Sequence, residues 1–153
     1  MRVIDLNVLL YAVNRDTAVH EQVRRWWEAA VNSDDPVGLP WVVVLGFLRL
    51  STNPAVFPTP LTLRAATARI DAWLSHPNVR VVAPGEDHWS VLRGLLDEVG
   101  TGGNLTTDAH LAALAIERGA VLASCDNGFA RFPHLRWEDP LAPPRSRRGT
   151  PPR

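Results

Sequence analysis

A chain of 153 residues with sixteen arginines, sixteen acids and not one lysine is long enough to bury a single core unaided by disulfides or a structural metal. The missing lysine excludes a P-loop, whose lysine lies on the phosphates, and Schiff-base chemistry, which needs a lysine amine. A single cysteine, Cys125, excludes an internal disulfide and a Cys-rich zinc site, and no uncharged apolar run reaches the roughly 18 residues of a membrane span.

Strand-like and helical runs alternate, which predicts an α/β fold with a largely parallel sheet. Val3-Ile4 reads as a first strand. Val19, Val23, Trp26, Trp27 and Ala30 recur at helical spacing, predicting an amphipathic helix over about 17–32, with Asp16 or Thr17 as its N-cap. Val37 to Leu39 is a second strand, and Pro40 opens the next helix at its tolerated first position. That helix, WVVVLGFLRL, is apolar nearly all round and is expected to be buried. After the loop STNPAVFPTP, Leu63, Ala66, Ile70, Trp73 and Leu74 mark another helix, and Val79 to Val82 a strand. Trp89, Leu92, Leu95, Leu96 and Val99 give a helix ended by Gly100. Thr107 or Asp108 caps the following one, which runs to about Arg118 with Gly119 at its C-terminus. Ala120 to Ser124 is a strand, Phe129 to Phe132 a short helix, and Leu135 to Trp137 an edge strand. Residues 1–139 form one domain. Residues 140–153 hold five prolines and four arginines without an acid and read as a disordered tail.

That tail hides a charge asymmetry. Residues 1–139 hold twelve arginines against all sixteen acids, a net charge of about −4. Such a body suits a cation site and lacks the basic footprint usual in nucleic-acid binders. Three aspartates stand where strands end or helices begin: Asp5 in MRVIDLNVLLYA, Asp108 in NLTTDAHLAALA and Asp126 in VLASCDNGFARF. Asp108 could serve only as a helix cap, and Asp126 only the Asn-Gly turn. Asp5 is harder to dismiss, because a carboxylate among Val3, Ile4, Leu6 and Val8 is buried at a cost unless paired or metal-bound. Ligands of an open α/β sheet bind beyond the carboxyl ends of its strands, so Asp5 and Asp126 share one edge if their strands are parallel neighbours. Carboxylates brought together repel unless neutralised, and a hard divalent cation with oxygen ligands is the usual neutraliser. Metal-dependent phosphodiester chemistry is the function this pattern predicts.

The segments IDLNVLLYA, FLRLSTNPAVF, GNLTTDAHLAALAIERGA and SCDNGFARFPHLRWEDPL resemble the PIN-domain family, and more closely the VapC toxins of bacterial toxin–antitoxin pairs, in collinear order up to about Leu141. The resemblance implies a Rossmann-like three-layer α/β/α sandwich and a Mg2+-dependent endoribonuclease, with Mn2+ as the other candidate ion. It places Asp5, Asp108 and Asp126 on the family's acidic site as metal ligands and catalytic groups. It also implies a VapB-like antitoxin that docks on the first helices, a homodimer and an RNA substrate. One departure stands out. The family usually adds a glutamate on the helix after the second strand, where this chain has Gly46 and no acid anywhere from Pro36 to Ile70. The metal would then have three carboxylates, with Asn7, Asn104 and Asn127 as candidate amides to complete its shell. The same departure supports an alternative: a catalytically weak or silent PIN-like protein that binds RNA or a partner.

The implied mechanism is metal-assisted hydrolysis of an RNA phosphodiester, with Asp5 and Asp108 as direct ligands and Asp126 acting through water or orienting the nucleophile. His110 follows Asp108 by two residues, about 200° round a helix, and is read as surface or core. Candidate phosphate contacts are Arg49, at the end of an apolar helix, with Arg15, Arg131 and the RSRR of the tail. Trp26, Trp27 and Trp41 could stack bases, though their register favours core or interface. An N-terminus that enters a strand directly, with no signal peptide, predicts the cytoplasm.

Overall fold

In a computed structural model that describes residues 1–143, five strands form one parallel sheet: β1 (Arg2–Ile4), β2 (Val37–Pro40), β3 (Val79–Val82), β4 (Val121–Ala123) and β5 (Trp137–Glu138), in the order β3-β2-β1-β4-β5. The inner strands read as unbroken apolar runs, as strands covered on both faces do. Val3 and Ile4 are fully buried, and Val3 pairs with Gly38 on one side and Leu122 on the other. Glycine is needed at position 38, because a Cβ there would stand 2.5 Å from Val82 Cγ2.

Six helices cover the sheet: α1 (Leu6–Val13), α2 (His20–Val31), α3 (Trp41–Ser51), α4 (Leu63–Leu74), α5 (His88–Val99) and α6 (Leu105–Glu117). The connections from β1 to β2 and from β2 to β3 step one way across the sheet, and those from β3 to β4 and β4 to β5 step the other way. Parallel crossovers are right-handed, so α1–α4 lie on one face and α5–α6 on the other. Packing agrees: α1 meets α2 and α3, α3 meets α4, and α5 pairs with α6. The result is the three-layer sandwich expected from sequence. The core between sheet and first helical layer holds Phe47, which meets Trp73 edge-on at 4.7 Å, and Trp27 meets the same Trp73 edge-on at 5.7 Å. Such pairs add to the area burial of the rings themselves. Trp27 is thereby a core residue, as its register predicted.

Several expectations need correction. The run LNVLLYAV shows no amphipathic period, yet it forms α1, because Asp5 caps it and its neighbours on both sides are apolar. Helix α2 starts at His20 rather than at about residue 17, and neither Asp16 nor Thr17 caps it; Val19 occupies the N-cap with no side-chain bond. Helix α3 is not buried all round: Trp41, Val42 and Leu45 are exposed, to 52%, 39% and 59%. Helix α6 begins three residues before Asp108, with Asn104 in the N-cap position, so neither Thr107 nor Asp108 is a cap. Gly119, at φ +56°, is the left-handed residue just after the α6 C-cap Arg118. Pro140 is buried and the Leu141 carbonyl accepts a bond from Gln22 Nε2 at 2.9 Å, so the body extends past residue 139. The expectation of a disordered tail concerns, from 144 on, residues outside those described. Among the described residues no helix is long and apolar enough to cross a membrane.

Candidate active site

The sheet's switch point lies between β1 and β4, and ligands of such sheets bind beyond the strand ends at that point. The last rung of the β1–β4 ladder, from Asp5 N–H to the Ala123 carbonyl at 3.0 Å, delivers Asp5 to this edge. Its backbone then turns into α1, and Asp5 Oδ1 accepts the Leu6 N–H at 2.6 Å as the helix cap. The other oxygen, Oδ2, accepts the Ser124 hydroxyl at 2.7 Å and the Asn7 amide at 2.8 Å. Ser124 is fully buried, and its Oγ in turn accepts from Asn7 Nδ2 and from the Asp126 N–H, both at 3.0 Å. Asn7 closes the loop through its Oδ1, which accepts the Cys125 N–H at 3.1 Å. Asp5, Asn7 and Ser124 therefore form one lattice that fixes the Asp5 rotamer and ties it to the segment carrying Asp126.

Asp126 is exposed and its Oδ1 caps a short 3-10 turn, Asn127–Arg131, by accepting the Gly128 N–H at 2.7 Å. Asp108, half-buried, projects from the first turn of α6. Asp5 and Asp108 both sense neighbouring carboxylates. Burial holds the Asp5 carboxyl above its ordinary value; the Ser124 and Leu6 bonds pull it back, and the charges of Asp108 and Asp126 push it up again. Burial also raises Asp108, with Asp126 adding to it and Arg131 opposing. A helix N-terminus would favour the Asp108 anion, but here burial and the neighbouring carboxylate outweigh it. The fold thus brings Asp5 to the same edge as Asp108 and Asp126, more than a hundred residues further along the chain.

The donor chemistry fits a hard divalent cation. All three groups offer oxygen, the cluster carries excess negative charge, and Arg131, the cation that opposes the rise at Asp108, is engaged with the Gly128 carbonyl at 2.7 Å. The cluster is not a finished cage: among the described residues, no three His, Cys, Asp or Glu side chains are gathered closely enough to hold a metal as they stand. Asn7, proposed as an amide to complete a metal shell, lies beside Asp5 with both ends of its amide engaged: Nδ2 on Asp5 and Ser124, Oδ1 on the Cys125 N–H. Asn104 only occupies the α6 N-cap position and Asn127 the exposed 3-10 turn. Gly46 is buried, and a Cβ there would meet Leu6 Cδ2 at 2.7 Å; Leu6, next to Asp5, fills the space a side chain at 46 would enter. Burial, aided by the charges of Asp139 and Asp5, pushes the Cys125 thiol up to about 12, which leaves it unreactive at neutral pH. Arg49 stands exposed on the last turn of α3.

Sequence reasoning missed Ser124 and Trp137. The signal for Ser124 was a hydroxyl closing an otherwise apolar strand two residues before Asp126. Trp137 donates its indole N–H to the Ser124 carbonyl at 3.0 Å, a tertiary bond that no spacing announces. His110, expected at surface or core, is half-buried. His88 bridges it to Glu117, with Nε2 2.8 Å from His110 Nδ1 and Nδ1 2.5 Å from Glu117 Oε2. This chain locks α5 to α6.

A parallel sheet with right-handed crossovers and acids at its switch point defines a class, and the comparisons identify it. The pattern of the PIN domain matches residues 2–135. Ribonuclease VapC37 of Mycobacterium tuberculosis (strain ATCC 25618 / H37Rv) is 44% identical over 142 residues, which cover 93% of this chain and 99% of the relative. Ribonuclease VapC33 of the same strain is 43% identical over 141 residues, 92% and 99% of the two chains. Among solved structures, VapBC2 from Rickettsia felis, bound to a promoter DNA fragment, matches with a TM-score of 0.68 over 90% of this chain and 97% of that one; at 17% identity this is a likeness of fold. The chain belongs to the PIN-domain family. Within that family it stands with the VapC proteins.

Proposed function

We propose that this protein is a Mg2+-dependent endoribonuclease, able to use Mn2+, and the toxin of a cytoplasmic toxin–antitoxin pair. The VapC relatives, named as ribonucleases, support RNA as the substrate. The observation that supports the metal reading is the gathering of oxygen donors at one sheet edge, where burial first, and neighbouring carboxylates second, hold Asp5 and Asp108 above their ordinary values; a hard cation would relieve that repulsion. Such an ion, when bound, lowers the pKa of its water and neutralises charge developing on the phosphate. Asp5 and Asp108 would hold it directly. Asp126, exposed at the rim, would reach it through water or orient the attacking water. Ser124 and Asn7 hold Asp5 in one rotamer, so closing the site on an ion would fall to Asp108 and Asp126. A VapB-like antitoxin and a second copy of the chain are the partners.

The test is a calorimetric Mn2+ titration of the wild type, Asp5→Asn and Asp108→Asn, alongside cleavage of total RNA. The wild type should bind and cut, and both variants should lose binding and cleavage together; Mn2+ binding that survives Asp5→Asn would sink the site assignment. On expression, wild type and Asp108→Asn that prove equally harmless would remove the toxin reading. A second reading, a weakly active or silent PIN-like protein that binds RNA or a partner, is favoured by one observation: the wall beneath Asp5 is closed by Leu6 against Gly46 rather than supplied with a fourth acid. Tight RNA binding without cleavage under any divalent ion would select it.

A further inference from the structure

The acidic body leaves open what holds an RNA chain, and the arginines answer unequally. Of the twelve in residues 1–139, seven are engaged. Arg2, Arg24, Arg25 and Arg93 pair with carboxylates. Arg118, Arg131 and Arg136 bind backbone carbonyls. Arg15, Arg49, Arg64, Arg69 and Arg80 make no such bond among the described residues and are exposed. Two of these five, Arg15 and Arg69, face one groove of about 340 Å³ between the end of α1, the loop after α3, and α4.

We propose that Arg15 and Arg69 form a phosphate-binding groove that grips the RNA chain at a distance from the bond being cut; this rests on the ribonuclease reading above. Phe57, only 4% exposed, and Leu61 are among the groove's lining residues. A base cannot stack on a ring so covered, so the groove's hold on RNA is the pull of its two exposed cations on phosphate. Asp16 also lines the groove, and its carboxylate pairs with neither arginine. Planar guanidinium groups suit phosphate oxygens. Helix α1 sets the spacing. Asp5 caps its start and Asn14 its end, with Arg15 next in sequence. Its eight residues span about 12 Å, roughly three to four nucleotides at the ~3.4 Å rise of a stacked strand. The groove is therefore a second hold on the same RNA, at a fixed distance from the carboxylates.

The test measures binding of a fluorescent single-stranded RNA by anisotropy across a salt series, all in the Asp108→Asn background to prevent cleavage. Arg15→Ala/Arg69→Ala is compared with Arg64→Ala/Arg80→Ala, which removes equal charge elsewhere. The groove pair should lose affinity about tenfold or more, and its slope of log affinity against log salt should flatten by roughly 1.4, at about 0.7 per phosphate contact on a single strand; the control pair should match the parent. Equal effects of the two pairs, no effect of the groove pair, or no RNA binding by the parent would each overturn the groove. Cleavage by the wild-type chain is measured separately. Cutting with an indifferent groove pair would refute the groove and leave the ribonuclease reading intact; selective loss of binding in a chain that never cuts would do the reverse.

Discussion

Replacing Ser124 by alanine tests whether the lattice around Asp5 governs the site. The hydroxyl donates to Asp5 Oδ2 at 2.7 Å and accepts from Asn7 and from the Asp126 N–H at 3.0 Å each. Alanine removes all three bonds while leaving volume almost unchanged in a fully buried position. A hydrogen bond to a charged group contributes about 1.5–3 kcal/mol, and this bond opposes the elevation that burial imposes on Asp5. Its loss should raise the Asp5 pKa further, because the ionised form alone gains from the donated hydroxyl proton. The sign follows. Asp5 already binds its proton more tightly when folded than unfolded, so ionising it costs stability as pH climbs from the ordinary carboxylate range, 3.8, through the raised folded value. Ser124→Ala widens that window. The variant should be about 1.5–3 kcal/mol less stable than wild type at pH 7 by urea denaturation, and the gap should narrow as pH falls and Asp5 is protonated in both. The acid limb of Mn2+ binding should move to higher pH. An unmoved acid limb with an intact fold would show that Ser124 does not control Asp5.

Asp108→Asn removes a group held above its ordinary pKa by burial and by Asp126. It should abolish cleavage yet raise the Tm of the metal-free protein, by no more than about 3 °C given the partial exposure of the site. That gain should appear at neutral pH and vanish below about pH 4, where Asp108 is protonated folded and unfolded alike. Glu117→Gln weakens the His88 link between α5 and α6. Calorimetry should show a loss of about 1–3 kcal/mol, and an unchanged Tm would demote the histidine chain to ornament. Gly46→Ala sets a helix-propensity gain of up to about 1 kcal/mol against displacement of the Leu6 methyl 2.7 Å from the new Cβ. Denaturation should show a net change within about 1 kcal/mol; a loss above about 3 kcal/mol would mean that Leu6 cannot move.

The sequence disclosed what depends on pattern and hid what depends on partners. Helices α2, α4 and α5 announce themselves because each has one buried face and one wet face. Helix α1 does not, since LNVLLYAV is apolar on every side and only the Asp5 cap distinguishes it from a strand. The exposure of Trp41 and Leu45 on α3 was invisible for the same reason: an apolar face does not state what it meets. The aspartates were legible because a carboxylate among Val3, Ile4 and Val8 demands an explanation. The Ser124 hydroxyl and the Trp137 indole were not, because their meaning comes from residues 119 and 13 positions away. Arg49 drew attention as a lone cation on an apolar helix, whereas the pairing of Arg15 with Arg69 across one groove needed the fold.

The order of strands also has a consequence in time. The first strand made, β1, sits mid-sheet and waits for β4, more than a hundred residues later, to flank it and bring Ser124 and Asp126 alongside Asp5. A ribosome that stalls or releases the chain before about residue 120 yields a fragment without Asp126, without the Ser124 that holds Asp5, and without the strand that flanks β1. If the finished protein is harmful to its host, unfinished copies are innocuous by construction, and the hazard begins only when synthesis is nearly complete.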